Sequence, residues 1–422
     1  MSAKELEALI DEISANIAAQ RERERELLKQ LLHSKSAAQR QLNSLRDPVA
    51  RLPLEISSEI FLRCLPDHSP KPRARTAPML LLNICQTWTQ IALSNSILWT
   101  SIALNFPAAE ILRLWFERAR NETLSVTLRS GLSTAVVDVV MRYATQLKHL
   151  GIYDEENIDF LARAEGIFPC LQTLTIGSAF YDDDLSVGVL DVLAVLRTAP
   201  NLLECTFRGL SMYDNTSRWT RRTLVLSNLT CMKFEPNADG DFSRNDVLAY
   251  LELPALQALF CCFNSVQNND LLLFLQRSSP PLQKLVIGHD RFNFVEADQW
   301  LRLVPTLVHL EMEARDSVVD EFFVALAESP SDFIPNLQDL TIQHKLHDPP
   351  YETLLRALSV RRTRLAAFKF TTSYPLSRPS VDVGDALRQL GADGVKIYIA
   401  GAREVLLDST SEFLSREPIA DS

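Results

Sequence analysis

Few residues in this chain have the spacing to do chemistry. His344 and His347 stand three apart in His-Lys-Leu-His-Asp, an offset at which two imidazoles can share a zinc ion. No further ligand follows them in sequence, and the same residues suit a polar loop between a strand and a helix. Asp239-Gly240-Asp241 lacks the spaced oxygen ligands of a calcium loop and reads as a turn. Asp182-Asp183-Asp184 precedes a helical stretch, where carboxylates complement the helix dipole and cap free amides. The chain has no Gly-x-Gly-x-x-Gly, no Gly-x-Ser-x-Gly and no phosphate-cradling loop among its 12 glycines. The seven cysteines (Cys64, Cys85, Cys170, Cys205, Cys231, Cys261 and Cys262) are scattered, odd in number and without a Cys-x-x-Cys pair. They read as reduced, mostly small core residues, and the sequons at Asn121, Asn215 and Asn228 are expected to stay unmodified. No nucleophile has a base beside it, so the expectation is a non-catalytic protein with no cofactor and no metal.

Composition turns attention to partners. Of 422 residues, 46% are hydrophobic and 23% charged, which is ordinary for a globular chain with a sizeable core. No stretch approaches the roughly 18 consecutive apolar residues of a membrane helix, and Met1-Ser2-Ala3-Lys4-Glu5 lacks an apolar signal core. A cytoplasmic or nuclear protein is expected. The net charge of -10 is uneven: residues 1–46 carry eight basic against seven acidic side chains, residues 47–104 five against four, and the remainder -12. An acidic body argues against nucleic acid, whose binding rests on neutralising phosphates with Lys and Arg.

The elements that would position a binding surface begin at Asp47. Leu52-Pro53 opens a helix, proline supplying a pre-set φ and giving up an amide that needs no partner there. Leu54, Ile56, Ile60 and Phe61 follow and cannot share one stripe, so more than one neighbour must cover the helix. Leu80, Leu81, Ile84, Trp88 and Ile91 fall at helical offsets and predict a second amphipathic helix. Leu98-Trp99-Thr100-Ser101-Ile102 closes the unit. In between, Pro66 to Pro78 is a loop rich in proline and basic residues.

The order Leu-Pro-x-Glu-Ile, Ile-Phe, Ile-Cys-x-x-Trp, Ile-Ala, Leu-Trp-x-x-Ile over residues 47–104 resembles the F-box of fungal F-box proteins, with the proline-rich insert as a departure. The resemblance implies a substrate-recognition subunit of a Skp-cullin-F-box ubiquitin ligase. Leu52, Pro53, Ile56, Ile60, Phe61 and Trp88 would then belong to the F-box and its surface for a Skp-type adaptor, which joins it to a cullin. The chain itself would act by proximity, raising the effective concentration of a substrate lysine near the conjugating enzyme.

Ahead of this unit, residues 6–45 contain neither proline nor glycine, and Leu6, Ile10, Ile13 and Ile17 alternate by four and three as a coiled-coil seam requires. Gln20 and Glu24 interrupt the seam before Leu27 and Leu31 restore it. The alternating Arg21 to Glu26 is a solvated belt. Two arrangements satisfy this pattern, a homodimer through the helix or a single helix packed on the F-box.

Beyond residue 104 the chain repeats itself. Leu-x-x-Leu-x-Ile or a near relative starts at Leu147, Leu171, Leu202, Leu229, Leu256, Leu282, Leu307, Leu337 and Leu365, in steps of 24, 31, 27, 27, 26, 25, 30 and 28. These periods match leucine-rich repeats of one strand and one helix per unit. Pro169, Pro200, Pro254, Pro280, Pro305 and Pro335 each stand two residues before such a leucine, where proline stops a helix and favours extended chain. Helices are expected at Val187–Arg197, Asp246–Leu253, Asp270–Arg277, Val295–Val304, Val319–Glu328 and Tyr351–Arg361. An atypical early unit pairs a helix over Ala108–Arg120 with a strand at Leu124–Leu128. Val395–Ile399 reads as a last strand.

The fold expected is therefore α/β: an N-terminal helix (1–46), a helical F-box (47–104), an irregular right-handed leucine-rich-repeat solenoid or horseshoe (105–400) and a polar tail (401–422). The family's asparagine after the third apolar position is missing, which makes the horseshoe irregular. Period-two alternation places Tyr153, Arg208, Lys233, Phe260, Lys284, His309 and Glu311 on the concave face as candidates for holding a substrate protein. Phe260, rimmed by Arg208, Lys233 and Lys284, is the candidate anchor. Arg208 and Lys233 could meet a phosphate or balance Glu204 and Glu235. Two rival readings remain: a coiled-coil and repeat scaffold acting outside a ligase, and an enzyme built around His344 and His347.

Overall fold

A computed structural model describes residues 3–47, 49, 52–67, 69–106, 108–129, 133–153, 167–177, 185–213, 223–235, 246–261, 268–288, 294–314, 316–344, 348–402 and 404–409. The protein is mixed α/β, with a long N-terminal helix, eleven α-helices among the described residues and a large, mostly parallel sheet. It divides into two compact units, Met1–Leu104 with Glu110–Leu124, and Asn105–Ala109 with Ser125–Ser422. Among the described residues no helix is long and apolar enough to cross a membrane.

The first unit holds α1 (Ala3–Arg46), α2 (Leu54–Arg63), α3 (Gln86–Ser94), β1 (Ser101–Leu104) and most of α4 (Ala109–Ala119). Pro53 stands at the N-cap of α2 rather than inside its first turn, with its carbonyl accepting from the Ser57 amide at 3.1 Å. The single helix expected over Leu80 to Ile91 is broken. A 3-10 turn spans Leu81–Asn83, Cys85 is extended (φ -156°, ψ 173°), and α3 starts at Gln86. The break lets the Cys85 side chain turn inward and the Thr89 hydroxyl donate to the Leu82 and Cys85 carbonyls, both at 3.0 Å. The core is aromatic: Trp99 meets Trp115 of α4 edge-on at 4.9 Å, and their indole N–H groups donate to the Ala92 and Ser101 carbonyls. That contact draws α4, which the sequence assigned to an early repeat, into this unit.

In the second unit each sequence repeat supplies one strand of the main sheet, those strands lie in chain order, and further short strands accompany them. They are β2 (Leu124–Leu128), β3 (Leu147–Tyr153), β4 (Thr173–Gly177), β5 (Leu185–Gly188), β6 (Glu204–Arg208), β7 (Leu210–Tyr213), β8 (Leu224–Val225), β9 (Cys231–Glu235), β10 (Leu251–Glu252), β11 (Ala258–Cys261), β12 (Lys284–Gly288), β13 (His309–Ala314), β14 (Asp339–His344), β15 (Ala367–Thr372), β16 (Lys396–Ala400) and β17 (Val405–Asp408). The intervening helices are α5 (Thr134–Arg142), α6 (Val189–Arg197), α7 (Asn268–Ser278), α8 (Phe294–Leu301), α9 (Asp316–Glu328), α10 (Tyr351–Arg361) and α11 (Val381–Ala392). From β3 onward the sheet runs β3-β4-β6-β9-β11-β12-β13-β14-β15-β16-β17. Neighbours from β3 to β16 are parallel; β17 alone is antiparallel. β17 falls in the stretch expected to be a polar tail. The helix expected over Asp246–Leu253 is instead a 3-10 turn (Asp246–Tyr250) running into β10, which pairs with β8; β5 and β7 form a second small pair.

Register is held by stacked repeats. Leu150, Leu174, Cys205, Met232, Leu259, Leu285, Leu310, Leu340, Phe368 and Ile397 are register partners from strand to strand, and all are buried. From β4 to β14 of the main sheet, the carbonyl just before each strand accepts two amides from the next repeat; that of Gln257, for example, takes those of Gln283 and Lys284 at 2.8 and 2.9 Å. Asn201 and Asn336 donate to the carbonyls of Pro169 and Pro305, both at 2.9 Å, which ties these two proline turns to the repeat that follows each.

Buried Arg361 anchors the C-terminal repeats. Its guanidinium donates to the carbonyls of Leu326 (3.1 Å), Ile334 (3.1 Å) and Phe333 (2.6 Å). Ile334 has φ 38°, a conformation costly for a β-branched residue, so the arginine clamps a strained turn. Around it Phe322, Phe323, Phe333 and Phe368 pack with centroids 5.7–6.0 Å apart.

Candidate functional site

Two surfaces carry the residues singled out in the sequence. On the first unit, α2 has two apolar stripes. Ser57 and Phe61 face inward, Phe61 fully buried with its ring 4.9 Å from that of Trp88. Leu52, Ile56 and Ile60, spaced by four, remain 41%, 50% and 39% exposed, and Pro53 is exposed beside them. Phe61 is therefore corrected from an adaptor-contacting residue to a core residue: helical spacing sets it one position past the outward stripe. Half-buried Trp88 is likewise held by the fold, its indole N–H donating to Asp47 Oδ1 at 2.9 Å.

Asp47 is the residue that sequence reasoning passed over. Its carboxylate also accepts from the Val49 amide at 2.9 Å and from the Cys85 thiol at 3.6 Å. One side chain thus pins the chain ahead of α2 to the start of α3 and fixes where the exposed stripe sits. Its position directly before Pro48, in a unit with three tryptophans whose indole N–H groups each need an acceptor, was the available signal. The insert after α2 is tied down too, as the Pro70 carbonyl accepts from the Ala103 amide at 2.9 Å.

The second surface is the polar face of the parallel sheet. Strand register aligns Thr206, Lys233, Phe260, Val286 and Glu311 across β6, β9, β11, β12 and β13, and, in the row two residues earlier, Glu204, Cys231, Ala258, Lys284 and His309, so that Glu204 and Lys284 lie diagonally next to Lys233 and Phe260. Lys233 is ion-paired with Glu204, and Arg208 with Glu235 at 2.5 Å. Of the two readings of these cations, charge balance is the one the geometry realises. The hydrogen bond to Glu204 raises the Lys233 pKa, against the lowering effect of burial. Phe260, half-exposed, lies between two ammonium groups, Lys233 Nζ at 5.6 Å and Lys284 Nζ at 5.2 Å from its centroid. His309 Nδ1 is 3.8 Å from Asp339, yet burial, with Lys284 nearby, holds its pKa below the ordinary value. Glu311 accepts from Gln343 at 3.0 Å. Tyr153 stands apart at one end, its ring 5.4 Å from the Arg129 guanidinium. It lies over Gly177, where a Cβ would come within 3.2 Å of the ring and 3.0 Å of the Arg208 carbonyl. Phe260, Lys233, Lys284, His309 and Glu311 are thus brought together, while Tyr153 belongs to a separate neighbourhood with Arg208.

Of the metal-like motifs, His344 ends β14, while His347, Asp239-Gly240-Asp241 and Asp182-Asp183-Asp184 lie outside the described residues. Among the described residues no group of three or more metal-ligating side chains occurs. Burial pushes the Cys205 and Cys231 thiols up, away from reactive thiolate. A cleft of about 340 Å³ between α10, α11 and β17 is lined by Tyr351, Arg378, Arg388 and Glu404. Burial, with Asp348 near, pushes the Tyr351 hydroxyl up to about 12, and it donates to the Ser377 carbonyl at 2.8 Å.

No protein-family model matches the chain, and no curated protein matches it.

Proposed function

We propose that the first unit is an F-box, that the repeats of the second are of the leucine-rich type wound as an irregular solenoid, and that the chain is the substrate-recognition subunit of a Skp-cullin-F-box ubiquitin ligase. The observation that carries this reading is the second apolar stripe of α2. Ile56 and Ile60, with Leu52 just ahead of the helix, stay exposed on a side of α2 opposite the one already satisfied by Phe61 and Trp88, and a helix covered on one side by its own core asks for a second apolar neighbour. The Skp-type adaptor is that neighbour and joins the chain to a cullin.

The polar face of the sheet, centred on Phe260, Lys284, His309 and Glu311, holds the substrate protein, and transfer chemistry takes place on other subunits. On this reading the chain works in the cytoplasm or nucleus and acts on neither nucleic acid nor membrane.

The test is a pull-down of the full chain with a Skp-type adaptor, comparing Ile56→Asp/Ile60→Asp with Phe260→Ala. The expected result is binding by the natural chain and by Phe260→Ala, and loss of more than tenfold in affinity for the α2 variant with its circular dichroism unchanged. An intact, folded chain that ignores the adaptor overturns the reading.

A further inference from the structure

The 44-residue α1 is about 66 Å long, far more than the first unit uses. Its C-terminal end is tied down by Asn43, which donates to the Ile84 carbonyl at 2.8 Å. From residue 12 to residue 42 every side chain is exposed, including Ile13, Ile17, Leu27, Leu28, Leu31 and Leu32. An apolar stripe of that length, unsupported in water, calls for a cover, and its charge says which one. Residues 3–19 carry one basic and four acidic side chains; residues 20–26 carry three of each; residues 27–46 carry four basic and none acidic. The helix is acidic at one end, balanced in the middle and basic at the other.

We propose that α1 pairs with α1 of a second copy of this chain as an antiparallel two-helix coiled coil, crossing at Gln20 and Glu24. In a parallel pair acid would lie on acid and base on base, with Glu24 against Glu24 in the seam. Antiparallel, each acidic half lies on the basic half of the other copy, the complementarity that sets orientation in coiled coils. The seam positions fix the register. Placing Ile17 opposite Leu27 of the second copy also puts Ile13 opposite Leu31 and Gln20 opposite Glu24, apolar on apolar and polar on polar. Sliding by one heptad sets Gln20 against Leu31 and Glu24 against Leu27, leaving polar groups on apolar ones at the centre. A polar layer in an apolar seam selects register at some cost in stability.

The overlap then runs over residues 3–41 of each copy, about 57 Å. It ends in an open groove of about 640 Å³, lined by Ala37, Arg40, Gln41, Leu45, Gln86 and Thr89. That groove receives the start of the other copy's helix, where Glu5 and Glu7 outnumber Lys4 and Glu7 falls opposite Ala37. The pairing does not depend on the ligase reading, since it uses none of the residues assigned to the adaptor.

The experiment is light scattering of the full chain at about 10 μM, with disulfide trapping under mild oxidation. The natural chain is expected at twice its 47.6 kDa mass, and Ile13→Asp/Ile17→Asp at the monomer mass with an unchanged melting curve for the rest of the protein. Ile17→Cys/Leu27→Cys is expected to trap a covalent dimer that Ile17→Cys alone does not, because only the antiparallel register sets residue 17 against residue 27. A monomeric natural chain overturns the proposal. So does a covalent dimer from Ile17→Cys alone, which would mean parallel helices.

Discussion

Helix α2 and strand β11 both direct apolar side chains outward, and they treat them in opposite ways. Ile56 and Ile60 on α2 stand bare, whereas Phe260 on β11 is flanked by two ammonium groups, one of them itself paired with Glu204. The first surface gives up only water when covered and suits a partner that stays, since lasting interfaces resemble a core cut in half. The second is already electrostatically satisfied, so a partner must exchange ion pairs and cation–π contacts for its own. Such a surface discriminates more than it holds.

The contrast can be broken at several points. The largest effect is expected one residue inside the bare stripe. Phe61→Ala should cost about 3–5 kcal/mol through the lost burial and the cavity, while Ile56→Ala stays within about 0.5 kcal/mol; denaturant midpoints measure both. A similar loss for the two would mean that the stripe is core and not surface. Next, Arg361→Ala should destabilise the second unit by on the order of 3 kcal/mol, because buried carbonyls lose their donors. Arg361→Lys should recover only part, as an ammonium cannot match the fork.

Smaller effects test the sheet face. Lys233→Ala should cost at most about 1 kcal/mol, as expected for a partly exposed pair, and less in high salt. Its sign with pH is fixed: the Lys233 pKa is raised, so its contribution is complete below the ordinary lysine value of 10.5 and fades as pH climbs through the raised one. His309 gives the smallest signal, on the acid side. Its pKa is lowered from 6.5, so the unfolded chain takes up a proton first, and stability falls as pH drops below 6.5. His309→Asn should flatten that slope in pH-dependent melts, leaving the part due to His149, whose pKa burial also lowers.

What the sequence disclosed follows from how local the cause is. The nine apolar units each yield a strand, and the helix expected over Tyr351–Arg361 has those bounds, because period and proline are written in neighbouring residues. The features it hid depend on residues far apart. The break at Cys85 needs Asp47, 38 positions earlier, to receive the thiol. The clamp at Ile334 needs Arg361, 27 positions later. The candidate site divided in the same way. Alternation set Lys233, Phe260 and Lys284 on one face and offered Glu235 as a partner for Arg208, but the burial of Phe61 was decided by neighbours that periodicity cannot name.

The reversed strand β17 has a use beyond closing the tally of strands. A stack of parallel strands in which each edge templates the next has no reason to stop, and a free parallel edge would accept a strand from another molecule. β17 is four residues long, runs the other way and joins β16 with a register shift at Ile399/Ala400. It turns the growing end of the sheet into a blunt, misregistered one that a further strand fits poorly, which guards the protein against end-to-end polymerisation and fibre formation.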